Sequence, residues 1–193
     1  MQPLGMLAQL LMQLVDLTAG FFAGLFMLRF ILQWTRAPFR NPIGHFVIAL
    51  TDWGVLPLRR IIPGLRGLDL ASLVMAWLVE FAGMLLTLSI FGAHASADLL
   101  VPALLAAFVE TLRTGAYLII GVTLGVVILS WVNPYAPLAP VFNAVAEPFL
   151  RPFRRLIPPI AGLDLSPLFL LIVLQLLLNF LGSLKAAAIG FAF

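Results

Sequence analysis

Apolar positions along the chain fall into four long runs, separated by shorter segments in which arginine and proline collect. The runs extend from about Leu10 to Trp34, from Leu70 to Phe91, from Leu99 to Trp131, and from the Gly162-Leu163-Asp164-Leu165-Ser166-Pro167 start to about Leu184. A helix needs about 20 predominantly apolar residues to cross a bilayer, so each run predicts a transmembrane helix. Asp69 stands where it can cap the second, and Ser166 followed by Pro167 reads as the cap and first residue of the fourth. Residues 99–131 read as one long helix bent near Gly115, or as an interfacial helix followed by a span; the single helix is the expectation. In the first intervening segment, residues 35–67, Ile43, Phe46, Val47, Leu50 and Trp53 recur at helical spacing and predict an amphipathic helix lying in the interface. The second, residues 132–162, carries prolines at 134, 137, 140, 148 and 152, which predicts a more broken version. His94 to Asp98 reads as a polar turn between the halves.

The two intervening segments end alike. Pro57-Leu-Arg-Arg-Ile-Ile-Pro-Gly-Leu-Arg-Gly-Leu-Asp-Leu70 and Pro152-Phe-Arg-Arg-Leu-Ile-Pro-Pro-Ile-Ala-Gly-Leu-Asp-Leu165 share nine of fourteen residues at a constant offset of 95. Such self-similarity implies two copies of one structural unit. The expected division is 1–92 and 93–193, with Asn41-Pro42 matched by Asn133-Pro134. Two spans per unit is an even number, so the halves should run parallel about an axis along the membrane normal.

Composition agrees with the pattern. The chain is 63% hydrophobic and 10% charged, against about 25% charged in an ordinary soluble domain. The fold class expected is therefore an all-α membrane protein of four transmembrane helices in two tandem parallel repeats. The net charge of +3 matters less than its placement, since eight of the eleven Lys and Arg residues lie in 35–67 and 132–162. By the positive-inside rule both segments face the cytoplasm and both termini face outward. Met1 to Gln9 contains no Lys or Arg to form the basic start of a cleavable signal, so the first span is expected to be retained. Without cysteine, disulfide and thiolate chemistry are excluded.

Candidate chemistry is confined to charged and amide side chains. Arg59-Arg60 and Arg154-Arg155, with Arg151, would sit at the level of lipid phosphates, where paired guanidiniums can grip phosphate oxygens. They either anchor the loops to generic lipid, recognise an anionic headgroup, or hold a protein partner. Asp69 and Asp164 follow at a fixed distance, as helix caps or as carboxylates folding back on the arginines. Glu80 falls about 16 Å beyond Asp69, near the midplane, where a bare charge costs about 2.5–3.5 kcal/mol. Gln175 is its counterpart by the repeat offset and Asn179 lies one turn on, so all three are expected to point inward, as a brace or as part of an ion path. Arg29 is close enough to Trp34 to snorkel, and is also the nearest cation in depth to Glu80, toward which it is expected to reach. Gly121 and Gly125 form a G-x-x-x-G spacing that suits packing within the monomer or a homo-oligomer. No catalytic motif occurs, and His45 and His94 are expected on opposite sides of the membrane, so no enzymatic activity, metal or cofactor is expected. The arginine segments are short and contain no reading module, which favours lipid phosphate over nucleic acid.

The motif Pro152-x-Arg-Arg-x-x-Pro158 followed by Gly162-x-Asp-x-Ser-Pro167, repeated more loosely at Pro57 to Ser72, resembles the YggT (YlmG) family over essentially the whole chain. That resemblance implies a small multi-pass protein of the bacterial inner membrane, with plastid relatives. It further implies association with osmotic tolerance, cell-division gene neighbourhoods and, in plastids, nucleoid distribution and cytochrome assembly.

Overall fold

The computed structural model describes residues 3–65, 67–90, 97–157 and 164–190. They form six helices: α1 (Pro3–Trp34), α2 (Pro42–Arg59), α3 (Leu70–Ile90), α4 (Ala97–Val132), α5 (Ala139–Leu156) and α6 (Ser166–Gly190). α1, α3, α4 and α6 are long and apolar enough to cross a membrane, and α2 and α5 are short. No strand occurs among the described residues; Leu65 and Leu68 form an isolated bridge. The polar turn expected at His94 to Asp98 falls mostly outside the described residues, as do Arg66 and residues 158–163 of the repeated motif.

Residues 97–132 form one helix, as expected for this stretch, with Pro102 inside its second turn. Its 36 residues are about 54 Å long, well beyond a hydrocarbon core of about 30 Å, so it must tilt or protrude.

α1 packs mainly on α3 and α4 on α6, while α3 and α1 both contact α4. α1 and α3 approach closely where Gly83 meets Ala19: a Cβ added at Gly83 would lie 2.6 Å from that of Ala19. The pair is antiparallel, since Thr87 near the end of α3 reaches Asp16 of α1 while Asp69 at its start approaches Arg29. α2 and α5 share one end of the bundle. Val141 and Val145 of α5 join Ile31, Leu32 and Val55 in one apolar cluster, and Phe149 meets Trp34 edge to face at 5.4 Å.

α2 starts at Pro42, behind a cap: Asn41 Oδ1 accepts the Gly44 amide at 3.0 Å and Pro42 occupies the first turn. The bundle covers a face that lies beside the apolar stripe expected to meet the interface and shares only Val47 with it. Gly44, Val47, Thr51, Gly54 and Val55 are buried, while Phe46 and Trp53 are 53% and 61% exposed. Small residues let the backbone come close: a Cβ at Gly54 would lie 2.6 Å from the Met75 methyl and 3.1 Å from the Phe26 ring. The bulky residues are left on the outside of the bundle. Asn133 does not repeat the capping role. Its side chain accepts from the Tyr135 amide at 3.1 Å, and α5 begins later, at Ala139.

α5 is also less broken than its prolines suggest, being an 18-residue helix like α2. Pro140 sits in the first turn, where no amide hydrogen is needed. Pro148 and Pro152 lie four apart on the exposed face, so the carbonyls their rings leave unpaired can be solvated. α1 ends with Arg36 in the left-handed region (φ 54°), and the Ala37 amide closes the turn on Leu32 O at 2.9 Å.

Outside these contacts the long helices present Leu14, Leu17, Leu86, Leu105, Phe108, Ile128, Leu176 and Phe180 to the exterior. In water this surface would drive association. In a bilayer it is the solvated surface, and the helices keep their backbone groups satisfied internally.

Candidate functional site

Where α2 returns to the bundle, the start of α3 carries a buried polar network. Asp69 is 1% exposed. Its carboxylate accepts from Arg59 twice, Nε to Oδ1 at 3.1 Å and Nη2 to Oδ2 at 2.5 Å, and from the Ser72 hydroxyl at 2.6 Å. Arg59 Nη2 also donates to Gln33 Oε1 of α1 at 3.0 Å. Arg29, 5% exposed, donates through Nη1 to Thr51 Oγ1 at 2.7 Å and to Asp52 Oδ1 at 2.8 Å, and its Nε lies 3.8 Å from Asp69. Burial alone would raise the Asp69 carboxyl, but hydrogen bonds from Arg59 and Ser72 outweigh it and hold the group below its ordinary value. The hydrogen bond to Asp69 in turn raises Arg59. Two arginines and two aspartates thus form a nearly neutral knot joining α1, α2 and α3.

This corrects the expectation for Arg29. It neither snorkels nor reaches Glu80, because α2 folds Thr51 and Asp52 over it at closer range. Asp69 does fold back on the arginine pair, choosing Arg59.

The second copy makes the same central bond with less around it. Arg154 Nε donates to Asp164 Oδ2 at 2.9 Å and Nη1 to Glu147 at 2.5 Å, and Asp164 Oδ1 accepts the Ser166 amide at 2.9 Å. Asp164, not Ser166, therefore caps α6, because the helix already includes Ser166 as its first residue. Burial would raise Asp164 too, and the hydrogen bonds from Ser166 and Arg154 hold it below its ordinary value. Here both partners are about 40% exposed. In both copies the first arginine of the pair is engaged and the second is not. Arg60, Arg151 and Arg155 are exposed, and among the described residues they make no ion pair.

Toward the other end of the bundle a cavity of about 520 Å³ is lined by Asp16, Glu80, Thr87, Glu110, Thr114 and Lys185, among others. Glu80 accepts from the Thr114 hydroxyl at 3.1 Å. Glu110 Oε2 accepts from Arg113 Nη1 and Lys185 Nζ, both at 2.8 Å. Gln175 and Asn179, expected to face Glu80, do not. α6 buries Leu170, Leu174, Leu178 and Leu181, and both amides lie outside that face, exposed. Thr114 of α4 takes the place assigned to them. Gly125 lies beneath the Phe142 ring of α5, so this glycine serves packing within the chain.

The sequence that builds α1–α3 and α4–α6 is similar to known proteins. The chain matches the CCB3/YggT family twice, over residues 8–90 and 105–185. It belongs to that family. Relatives include an uncharacterized protein of Pseudomonas aeruginosa, 42% identical over 157 residues that cover 78% of this chain and 77% of the relative. The uncharacterized protein YggT of Escherichia coli K12 is 34% identical over 152 residues, 78% of each chain. A Vibrio alginolyticus protein, described by its position 3′ of proC, is 39% identical over 77% of this chain and 80% of its own. No solved structure matches. These two family matches fall on either side of residues 91–104 and leave Asp69 in the first and Asp164 in the second.

Proposed function

We propose that this YggT-family chain is a non-enzymatic protein of the bacterial inner membrane that binds anionic lipid headgroups through the arginines its fold leaves unpaired. The observation that carries this reading is the division of labour within each pair. Arg59 and Arg154 are held by the aspartates that open α3 and α6, while Arg60, Arg151 and Arg155 stand exposed on helices that share one end of the bundle. On this reading α2 and α5 lie on the cytoplasmic leaflet, the halves are parallel repeats, and both termini face outward, as the arginine placement requires. A basic residue near an anionic leaflet contributes about 1 kcal/mol, so three together prefer anionic over zwitterionic lipid by about two orders of magnitude. Organising such lipid, or docking an envelope protein on the same arginines, would suit a part in division or osmotic tolerance. The test compares retention of phosphatidylglycerol and phosphatidylcholine by purified protein, for wild type and for Arg60→Glu/Arg151→Glu/Arg155→Glu. Selectivity lost in the variant supports the reading; equal retention of the two lipids by wild type ends it.

A second reading, a small ion or solute channel, is favoured by the cavity that holds Asp16, Glu80 and Glu110. Its residues are now Glu80, Thr114 and Glu110 in place of Gln175 and Asn179. Cation flux through wild-type proteoliposomes that disappears in Glu80→Gln supports it, and well-inserted protein without flux removes it.

A further inference from the structure

We infer that the outward face of α6 is a homodimer seam in which Gln175 and Asn179 pair with the same residues of a second, parallel copy. Leu168, Ile172, Gln175, Asn179, Gly182 and Ala186 follow one another at alternating spacings of four and three. That is the stripe by which two helices wind around each other. The stripe lies away from the leucines that α6 packs against α4 and α5: Leu168 and Ile172 are 54% and 50% exposed, and both amides are exposed. Neither amide side chain has a hydrogen-bond partner among the described residues; only the Asn179 carbonyl is used, by Ser183.

Depth makes those bare amides costly. In the span Ser166–Ala188, Gln175 is nine residues from one end and Asn179 nine residues from the other, about 13 Å each way. Neither side chain can reach water from there. Acyl chains offer no hydrogen bond, so the amides need a protein partner.

A second copy is the occupant that the chemistry selects. A carboxamide both donates and accepts, and so complements itself. A copy inserted in the same direction, related by a two-fold axis along the membrane normal, brings Gln175 to Gln175 and Asn179 to Asn179 at matched depth without further design. One polar residue in such a seam also fixes register and favours two strands. Further along, a Cβ at Gly182 would meet nothing within 4 Å. With Ala186 one turn on, it leaves an open notch that lets a second backbone approach closely.

The experiment uses full-length protein in bilayers, with two readouts. The chain contains no cysteine, so single cysteines can be added without background. Ile172→Cys, on the stripe, should cross-link to a dimer on oxidation, and Val173→Cys, exposed but on the opposite side of α6, should not. Subunit counting over a dilution series should then show the dissociation constant rising about tenfold or more in Gln175→Leu/Asn179→Leu. Because these side chains are exposed and make no hydrogen bond among the described residues, that variant should insert and fold as wild type does. Wild type that stays monomeric at all densities, a dimer indifferent to the double substitution, or cross-linking at Val173→Cys in preference to Ile172→Cys would each overturn the assignment.

Discussion

Asp69 and Asp164 are equivalent in sequence but not in surroundings, and this predicts unequal cost for the same substitution. In Asp69→Ala, Arg59 loses both of its bonds to the carboxylate, Ser72 loses an acceptor, and buried Arg29 keeps Asp52 but loses the second negative charge 3.8 Å away. Breaking a buried ion pair by removing one partner costs about 3–5 kcal/mol. The Arg59 side chain is 36% exposed and can recover part of its hydration, which brings the expected loss to about 2–4 kcal/mol. In Asp164→Ala both groups are already about 40% exposed, and a surface pair of that kind contributes about 0–1 kcal/mol. Loss of the Ser166 amide cap adds about 1 kcal/mol. The assay is reversible unfolding of each purified variant in mixed micelles, followed by loss of helix and read as a difference from wild type. The reasoning is refuted if the two substitutions cost the same within about 0.5 kcal/mol, or if Asp164→Ala costs more.

Three further outcomes are expected. Both aspartates are held below the ordinary carboxyl value of 3.8. Their stabilisation is therefore full at neutral pH and fades only as pH falls below about 4 toward the folded-state values, which a pH series of the same unfolding measurement would show as a loss on the acid side that is smaller in Asp69→Asn, where only Asp164 still contributes, and smaller again in Asp69→Asn/Asp164→Asn. Gly54→Leu forces side-chain atoms against Met75 and Phe26, so α2 should be pushed from α1 and α3 at a cost of about 1–3 kcal/mol, read as faster proteolysis between α2 and α3. At position 36, where φ is 54°, glycine should be more stable than alanine by about 1 kcal/mol, since both remove the charge and only glycine enters that region freely.

Much of the architecture was legible in the chain because it depends on local properties. Long apolar runs need no partner to be recognised as spans, and α1, α3, α4 and α6 lie close to where those runs fall. Asn41-Pro42, noted in the sequence only for its repetition, marks the start of α2 in an equally local way, through a cap that forms within three residues. The loop prolines misled because α5 exposes them, and whether a lost backbone bond is costly depends on what lies outside the helix. A partial signal for Ser72 was present, since a hydroxyl three residues after a capping aspartate can reach back to it. Thr51, Gln33, Thr114 and Lys185 gave no comparable signal, being joined to their partners across 22 to 75 positions.

From the sequence alone, then, come the membrane class, the four spans, the duplicated motif and the set of polar groups too deep to be solvated. Tertiary structure decided which way those groups turn. Helical spacing says which residues share a face but not which face a neighbour covers, so Gln175 and Asn179 could be grouped correctly and still be assigned to the wrong side. Depth likewise shows that Arg29 needs a partner but not which carboxylate arrives first. Asp52 reaches it because α2 folds back onto α1, and Asp69 is buried where Asp164 is not because, among the described residues, Arg29 and Gln33 of α1 close over the first copy alone.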